Sequence, residues 1–223
     1  MKRNHLLTAV YAIAAALLII SASIALPIAI RPFYYAHIEP LSLEAWSGHS
    51  AADIRAAYDE VLNYLTLPWC EFGTGVFAHS AEGADHFADC RDLFLLDGAV
   101  LLASSVVLAV LGLLARRGKW TLARPFGRHV LLTVGVTVLA TFCLVGGLAA
   151  LDFDLAFTVF HLLFFPGKDN WTFDPRTDEI ILVLPQIFFR NCAILIVSGI
   201  VLCAVSCIVY ACMSHKRATV NLK

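Results

Sequence analysis

Two histidines stand in company that proton-transfer chemistry needs. The first, His86, lies in SAEGADHFADCRDLFLLD, residues 80 to 97. At about 100° per residue, Glu82, His86, Asp89, Cys90, Leu93 and Asp97 fall on one helical stripe, with acids about one turn from the ring on either side. A neighbouring carboxylate orients an imidazole and favours its protonated form, which suits a group that accepts and returns a proton near neutral pH. The second, His161, lies in FHLLFFPGKDNWTFDP, residues 160 to 175. Asp154, Thr158 and His161 share one face there, and Phe153, Phe157, Phe160 and Phe164 form an aromatic stripe beside it. Taken alone, His161 reads most plainly as an interfacial histidine satisfied by water or a backbone carbonyl. Paired with His86, it reads as a base beside a surface that could accept acyl chains. Asp97, one turn inside an apolar run, is a functional candidate by its position, the alternative being a carboxylate within reach of interfacial water.

The elements that must position these residues are membrane helices. The chain is 60% hydrophobic and 15% charged, and its mean hydropathy is +0.78, well above the usual soluble domain. Four runs, 6–30, 93–115, 130–151 and 192–213, are long enough to cross a hydrocarbon core that takes roughly 20 helical residues. The first follows Lys2 and Arg3 and contains Ser21-Ala22-Ser23, as a signal peptide would. Its apolar core exceeds the roughly 7 to 15 residues of a signal h-region, so it reads as a retained span. The basic residues set the orientation. Ten of the sixteen Lys and Arg, and none of the seventeen acids, lie in the N-terminal segment, the loop from Arg116 to His129 and the tail from Lys216. Those segments are expected inside and both termini cytoplasmic.

The expected architecture is an all-α integral membrane protein, one domain over 1–223, with four transmembrane helices and an extracytoplasmic helical cap built from 31–92 and 152–189. In the cap, Ser50 to Asp53 resembles a capping box with Asp in place of Glu. Ile54, Tyr58, Val61, Leu62 and Leu65 follow at helical spacing, on a face that could lie on the bilayer or cover the spans. Residues 82–92 contain no Pro and lead straight into the second span as one helix. Residues 152–165 either continue the third span or turn along the interface, and Pro166-Gly167 stops them.

Several chemistries are weakly supported or excluded. The chain has no HExxH, close histidine pair or CxxC, so the metal signal at His79, His86 and His161 is weak and no cofactor is expected. The outer serines have no GxSxG context. A thiol oxidoreductase would need an outward CxxC. The short basic segments offer no groove or aromatic interleaving for nucleic acid and read as anchors near anionic lipid. Cys70 and Cys90 are the only cysteines of seven in the outer segments, where a disulfide between them is plausible. The other five would pack as small apolar residues in the spans.

HFADCRDLF at 86–94 and FHLLFFPGKDNWTFDPRTDEIILVLPQIFF at 160–189 together resemble the bacterial four-span family to which the lipoprotein intramolecular transacylases belong. Arg31-Pro32-Phe33-Tyr34-Tyr35 is a weaker echo. The family's usual Met after the first histidine is Phe87 here, and its Val-Lys after the Asp is Cys90-Arg91. The resemblance implies a bacterial plasma-membrane enzyme with its site at the outer face. Such an enzyme moves the sn-2 acyl chain of a diacylglyceryl-cysteine lipoprotein to that cysteine's own α-amine, leaving a lyso-form lipoprotein. Its two essential histidines map onto His86 and His161, and its partners are the diacylated lipoprotein and membrane lipids. An α-amine with a pKa of roughly 8 must lose a proton before it attacks, and the departing glycerol oxygen must gain one, so two histidines suffice without a protein nucleophile. Asn170, Trp171, Arg176 and Tyr34 are candidate oxyanion or substrate contacts, and Asp89, Asp97, Asp154, Asp174 and Asp178 candidate orienting residues. A membrane assembly factor without catalysis and a metal-dependent membrane hydrolase are the competing expectations.

Overall fold

The computed structural model of the chain describes residues 3–124 and 128–220. Lys2 and Lys223, and the side chains of Arg3, Lys216 and Arg217, lie outside the described residues. The described chain is almost wholly helical. Its helices are α1 (His5–Ala29), α2 (Arg31–Tyr35), α3 (Leu43–Ser47), α4 (Ala51–Thr66), α5 (Ala81–Arg116), α6 (Val130–Leu151), α7 (Phe153–Phe164) and α8 (Gln186–Val220). A 3-10 turn at Glu179–Leu182 precedes α8. Two residue pairs, β1 (Arg3–Asn4) and β2 (Thr121–Leu122), form a minimal parallel ladder that the hydropathy pattern did not indicate.

Four helices, α1, α5, α6 and α8, are long and apolar enough to cross a bilayer. Helix α5 is 36 residues, about 54 Å at 1.5 Å per residue, far longer than the hydrocarbon core. Its first three turns carry Glu82, Asp85, Asp89, Arg91 and Asp92, a charge density unlike that of the apolar stretch that follows. Helix α8 starts six residues before the expected boundary.

The chain groups into two units, and these long helices run from one into the other. One unit holds 1–24, 98–150 and 196–223. Its core is built from Ala15, Ile19, Val134, Val138, Ile200 and Ala204, where small side chains let helices approach without a hydrophobic drive from lipid. The basic loop is tied down by Trp120 Nε1 donating to the Leu111 carbonyl at 2.9 Å and by the Ala123 amide donating to Thr8 Oγ1 at 2.8 Å.

The other unit holds 25–97 and 151–195. Helix α4 has the expected capping box, with Ser50 and Asp53 satisfying each other's backbone amides. Its apolar face does not lie on the bilayer: Ile54, Tyr58, Val61 and Leu62 are buried in this unit's own core with Tyr34, Ile180, Val183 and Phe188. Arg31 braces α4 from outside that core, pairing with Asp59 at 2.8 Å and donating to Asn63 at 2.6 Å. Helix α7 is separate from α6. The chain breaks at Asp152, whose carboxylate accepts the Leu155 amide at 2.9 Å as a cap. After α7, Gly167 takes φ +76°, with open space where a side chain would project. It is the backbone conformation of the Pro-Gly stop that calls for glycine there.

Candidate active site

The geometry of α5 and α7 brings both histidines to one place in the second unit. Their ring centroids are 5.7 Å apart, with planes 30° from parallel. His86 is 5% and His161 6% exposed. Phe165 and Phe173 meet the His86 ring edge to face at 5.0 and 5.5 Å. His161 is stacked on Trp171 at 4.5 Å and lies 4.3 Å from Phe157. An aromatic enclosure of this kind is a low-dielectric setting that disfavours the imidazolium.

His161 Nδ1 is 2.7 Å from the Phe157 carbonyl, one turn earlier on α7. A carbonyl only accepts, so Nδ1 carries the proton and Nε2 keeps its lone pair. Burial also lowers the affinity of His161 for a second proton, against a smaller opposing effect of that carbonyl. His86 is pushed down to about 4, first by burial and then by His161. The acids flanking His86 along α5 therefore do not hold it protonated, contrary to the expectation from spacing. Asp89 still favours the charged ring, but burial and His161 outweigh it, and its carboxylate is ion-paired with Lys168 and accepts from Asn170 Nδ2 at 3.4 Å. Both rings are thus neutral imidazoles near neutrality.

Beside the histidines is a polar cleft of about 390 Å³, lined by Asp85, Asp89, Gly167, Lys168, Asp169 and Asn170. The two buried side-chain polar atoms without a hydrogen-bond partner among the described residues are His86 Nδ1 and Asn170 Oδ1. The other face of α7 is apolar and open: Leu155, Val159, Phe160, Leu162, Leu163 and Phe164 are all exposed. The aromatic stripe is divided, with Phe157 packed toward Phe189 and Phe160 and Phe164 exposed.

The remaining candidates are placed elsewhere. Tyr34 is fully buried, stacked on Tyr58 at 3.8 Å, and its hydroxyl donates to the Val183 carbonyl at 2.7 Å. Arg176 is exposed and committed to Asp174 through two hydrogen bonds from Nε and one from Nη2. Trp171 Nε1 donates to the Lys168 carbonyl at 3.2 Å, so its indole face, not its N–H, meets the site. Asp154 accepts from Gln186 Nε2 at 3.0 Å and ties α7 to the start of α8. Asp178 is buried and accepts from the Ser80 amide and hydroxyl, fastening the N-terminus of α5. Asp97 is eleven residues beyond His86, about 16 Å along α5. Cys70 and Cys90 are both free thiols. The disulfide considered between them is not formed in this structure, where the Cys90 sulfur lies 3.4 Å from His86 Nε2. Lys168 is a site residue that sequence reading missed, as are Phe165 and Phe173 against His86 and Asp85 and Asp169 in the cleft. A place directly after the Pro-Gly stop was the only signal for Lys168.

The sequence matches the family described as lipoprotein intramolecular transacylase Lit over residues 9–189. The chain belongs to this family. No curated protein matches it. Its structure is similar to a solved structure of the membrane-integral lipoprotein intramolecular transacylase Lit of Bacillus cereus. That likeness has a TM-score of 0.83 at 23% identity and covers 98% of this chain and 97% of that one. Two further structures of the Bacillus cereus protein have one histidine replaced, by arginine or by alanine. They match at TM-scores of 0.78 and 0.76, at 22% and 24% identity, over 97% and 95% of this chain and 93% and 94% of theirs. At these identities the likeness to the Bacillus cereus Lit structures is one of fold, that of a multi-pass membrane protein.

Proposed function

We propose that this member of the Lit family is an O-to-N acyl transferase acting at the outer face of a bacterial plasma membrane. It moves the sn-2 acyl chain of a diacylglyceryl-cysteine lipoprotein to that cysteine's own α-amine. The reading is supported above all by the two buried imidazoles, in contact with each other between an exposed apolar helix face and a polar cleft. The apolar face of α7 suits acyl chains, and the cleft suits the polar head that joins glycerol to the N-terminal cysteine. The nucleophile and the ester belong to one molecule, so folding the head over the histidines supplies most of what an intramolecular transfer needs.

The neutral amine attacks the ester carbonyl and the nitrogen sheds a proton to His161 Nε2. The resulting imidazolium returns that proton to the glycerol oxygen as the C–O bond breaks. One C–N bond forms, one C–O bond breaks, and no water enters. Proton transfer of this kind contributes about 10² to 10⁴-fold. Asn170 turns its Nδ2 toward Asp89, which leaves Oδ1 to accept from the attacking amine. Lys168 holds Asp89 and so supports Asn170 as a positioning residue.

Mass spectra of lipoprotein N-termini decide the matter. Cells with the protein should carry N-acyl, lyso-glyceryl cysteine. Cells without it, or with His161→Gln, should keep both chains on glycerol. Identical N-termini in all three would refute the proposal, and full function of the His161→Gln and His86→Gln proteins would favour a non-catalytic assembly role.

A further inference from the structure

Cys90 lies one turn beyond His86 on α5, so the two side chains share a face, and its Sγ is 3.4 Å from His86 Nε2. Burial pushes this thiol up to about 12, so it keeps its proton throughout the neutral range and has an S–H to donate. A thiol that donates requires an acceptor, and a neutral imidazole accepts only at the nitrogen that carries no proton. With Nε2 accepting, the ring proton is on Nδ1. That nitrogen is one of the two buried polar atoms with no hydrogen bond of normal geometry, and the other, Asn170 Oδ1, is an acceptor on a side chain that already favours a proton on His86. A donor and an acceptor with no closed hydrogen bond between them are what a developing oxyanion and an attacking amine respectively can engage. The opposite tautomer would leave a lone pair at Nδ1 facing the oxyanion, which repels it.

We propose that Cys90 is a positioning residue whose thiol fixes His86 in the Nδ1–H tautomer, making His86 the neutral hydrogen-bond donor to the ester oxyanion and leaving the proton shuttle to His161. This division of labour rests on the acyl-transfer reading given above. The tautomer itself does not. His161 has its own Nδ1 proton held by a backbone carbonyl and presents a lone pair, so the two rings, similar in burial, offer the substrate opposite groups. No covalent or redox step at the sulfur is involved.

Nitrogen-15 NMR of histidine-labelled full-length protein in detergent reads the tautomer directly. In the unmodified protein the His86 signal, assigned by its loss in His86→Gln, should show a protonated Nδ1. In Cys90→Ala it should move toward the Nε2–H form, and Cys90→Ser, which keeps a donor, should restore it. Turnover of a diacylated lipopeptide should follow: kcat lower by about tenfold in Cys90→Ala, the scale of one lost hydrogen bond, with KM unchanged and recovery in Cys90→Ser. An unaltered His86 tautomer in Cys90→Ala, or a serine variant that behaves like alanine, would overturn the proposal. If the tautomer moves as expected but the unmodified protein transfers no acyl chain, the proposed function is what fails.

Discussion

An imidazole whose Nδ1–H is held by a carbonyl, as His161 is by Phe157, has one nitrogen left for chemistry and one orientation in which to use it. Burial then decides its charge. His161 is lowered from its ordinary value, so it is a free base at neutral pH and needs no alkaline medium to act. His86, at about 4, is neutral under the same conditions and suited to donating a hydrogen bond. With both rings already neutral, the group that must still lose a proton at neutral pH is the substrate amine, whose pKa is roughly 8. We expect kcat/KM for a diacylated lipopeptide to rise with unit slope to about pH 8 and then level, with no second break near 6.5. His161→Gln should lower kcat by at least about a hundredfold across the profile. A limb near 6.5 that disappears in His161→Gln would show instead that this imidazole titrates normally.

At the scale of elements, the site depends on where α5 begins. Ser80 accepts the Gly83 amide at 2.9 Å and donates to the buried Asp178 carboxylate, which also stabilises the positive end of the helix. The fit is close enough that a Cβ at Gly83 would lie 2.2 Å from Asp178 Oδ1 and 3.2 Å from a Phe173 ring carbon. Phe173 in turn meets His86. Asp178→Ala should therefore cost about 2 kcal/mol or more, since it strands charge-assisted donors. Gly83→Ala should lower both melting temperature and kcat, read by thermal denaturation in detergent and by lipopeptide turnover. A Gly83→Ala protein with normal kcat would show that His86 is held independently of this joint. Local features of this architecture were legible in the sequence. Hydropathy marked the four spans, Ser50 and Asp53 the start of α4, and Pro166-Gly167 the end of α7, because each signal resides in adjacent residues. Contacts between distant residues were not. Asp178 meets Ser80 across 98 residues and Lys168 meets Asp89 across 79, and no spacing rule assigns such partners. For the same reason Tyr34 reads as a site candidate, though the fold gives its hydroxyl to Val183.

Across the whole molecule, acidic charge gathers in one unit. All seventeen acids lie in 25–97 and 151–195, the unit that holds both histidines, and the other unit has none of them. Ten of the sixteen Lys and Arg fall in that acid-free unit, in short segments flanking the apolar helices, which is where basic residues govern insertion. If all four long apolar helices cross, the two termini share one side. Trp46 and Trp69, at 72% and 76% exposed, stand in the acid-rich unit like the aromatic residues that settle at a membrane-water interface. A substrate whose lipid is anchored in the outer leaflet needs the histidines on the side opposite the termini. Fusions at the C-terminus test this without disturbing the site: a fluorescent protein that matures only in the cytoplasm should glow, and a phosphatase that folds only outside should be inactive. The same phosphatase inserted after Gly48, at the exposed turn between α3 and α4, should be active. An active C-terminal phosphatase would place the histidines on the cytoplasmic side, out of reach of lipoproteins displayed on the outer leaflet.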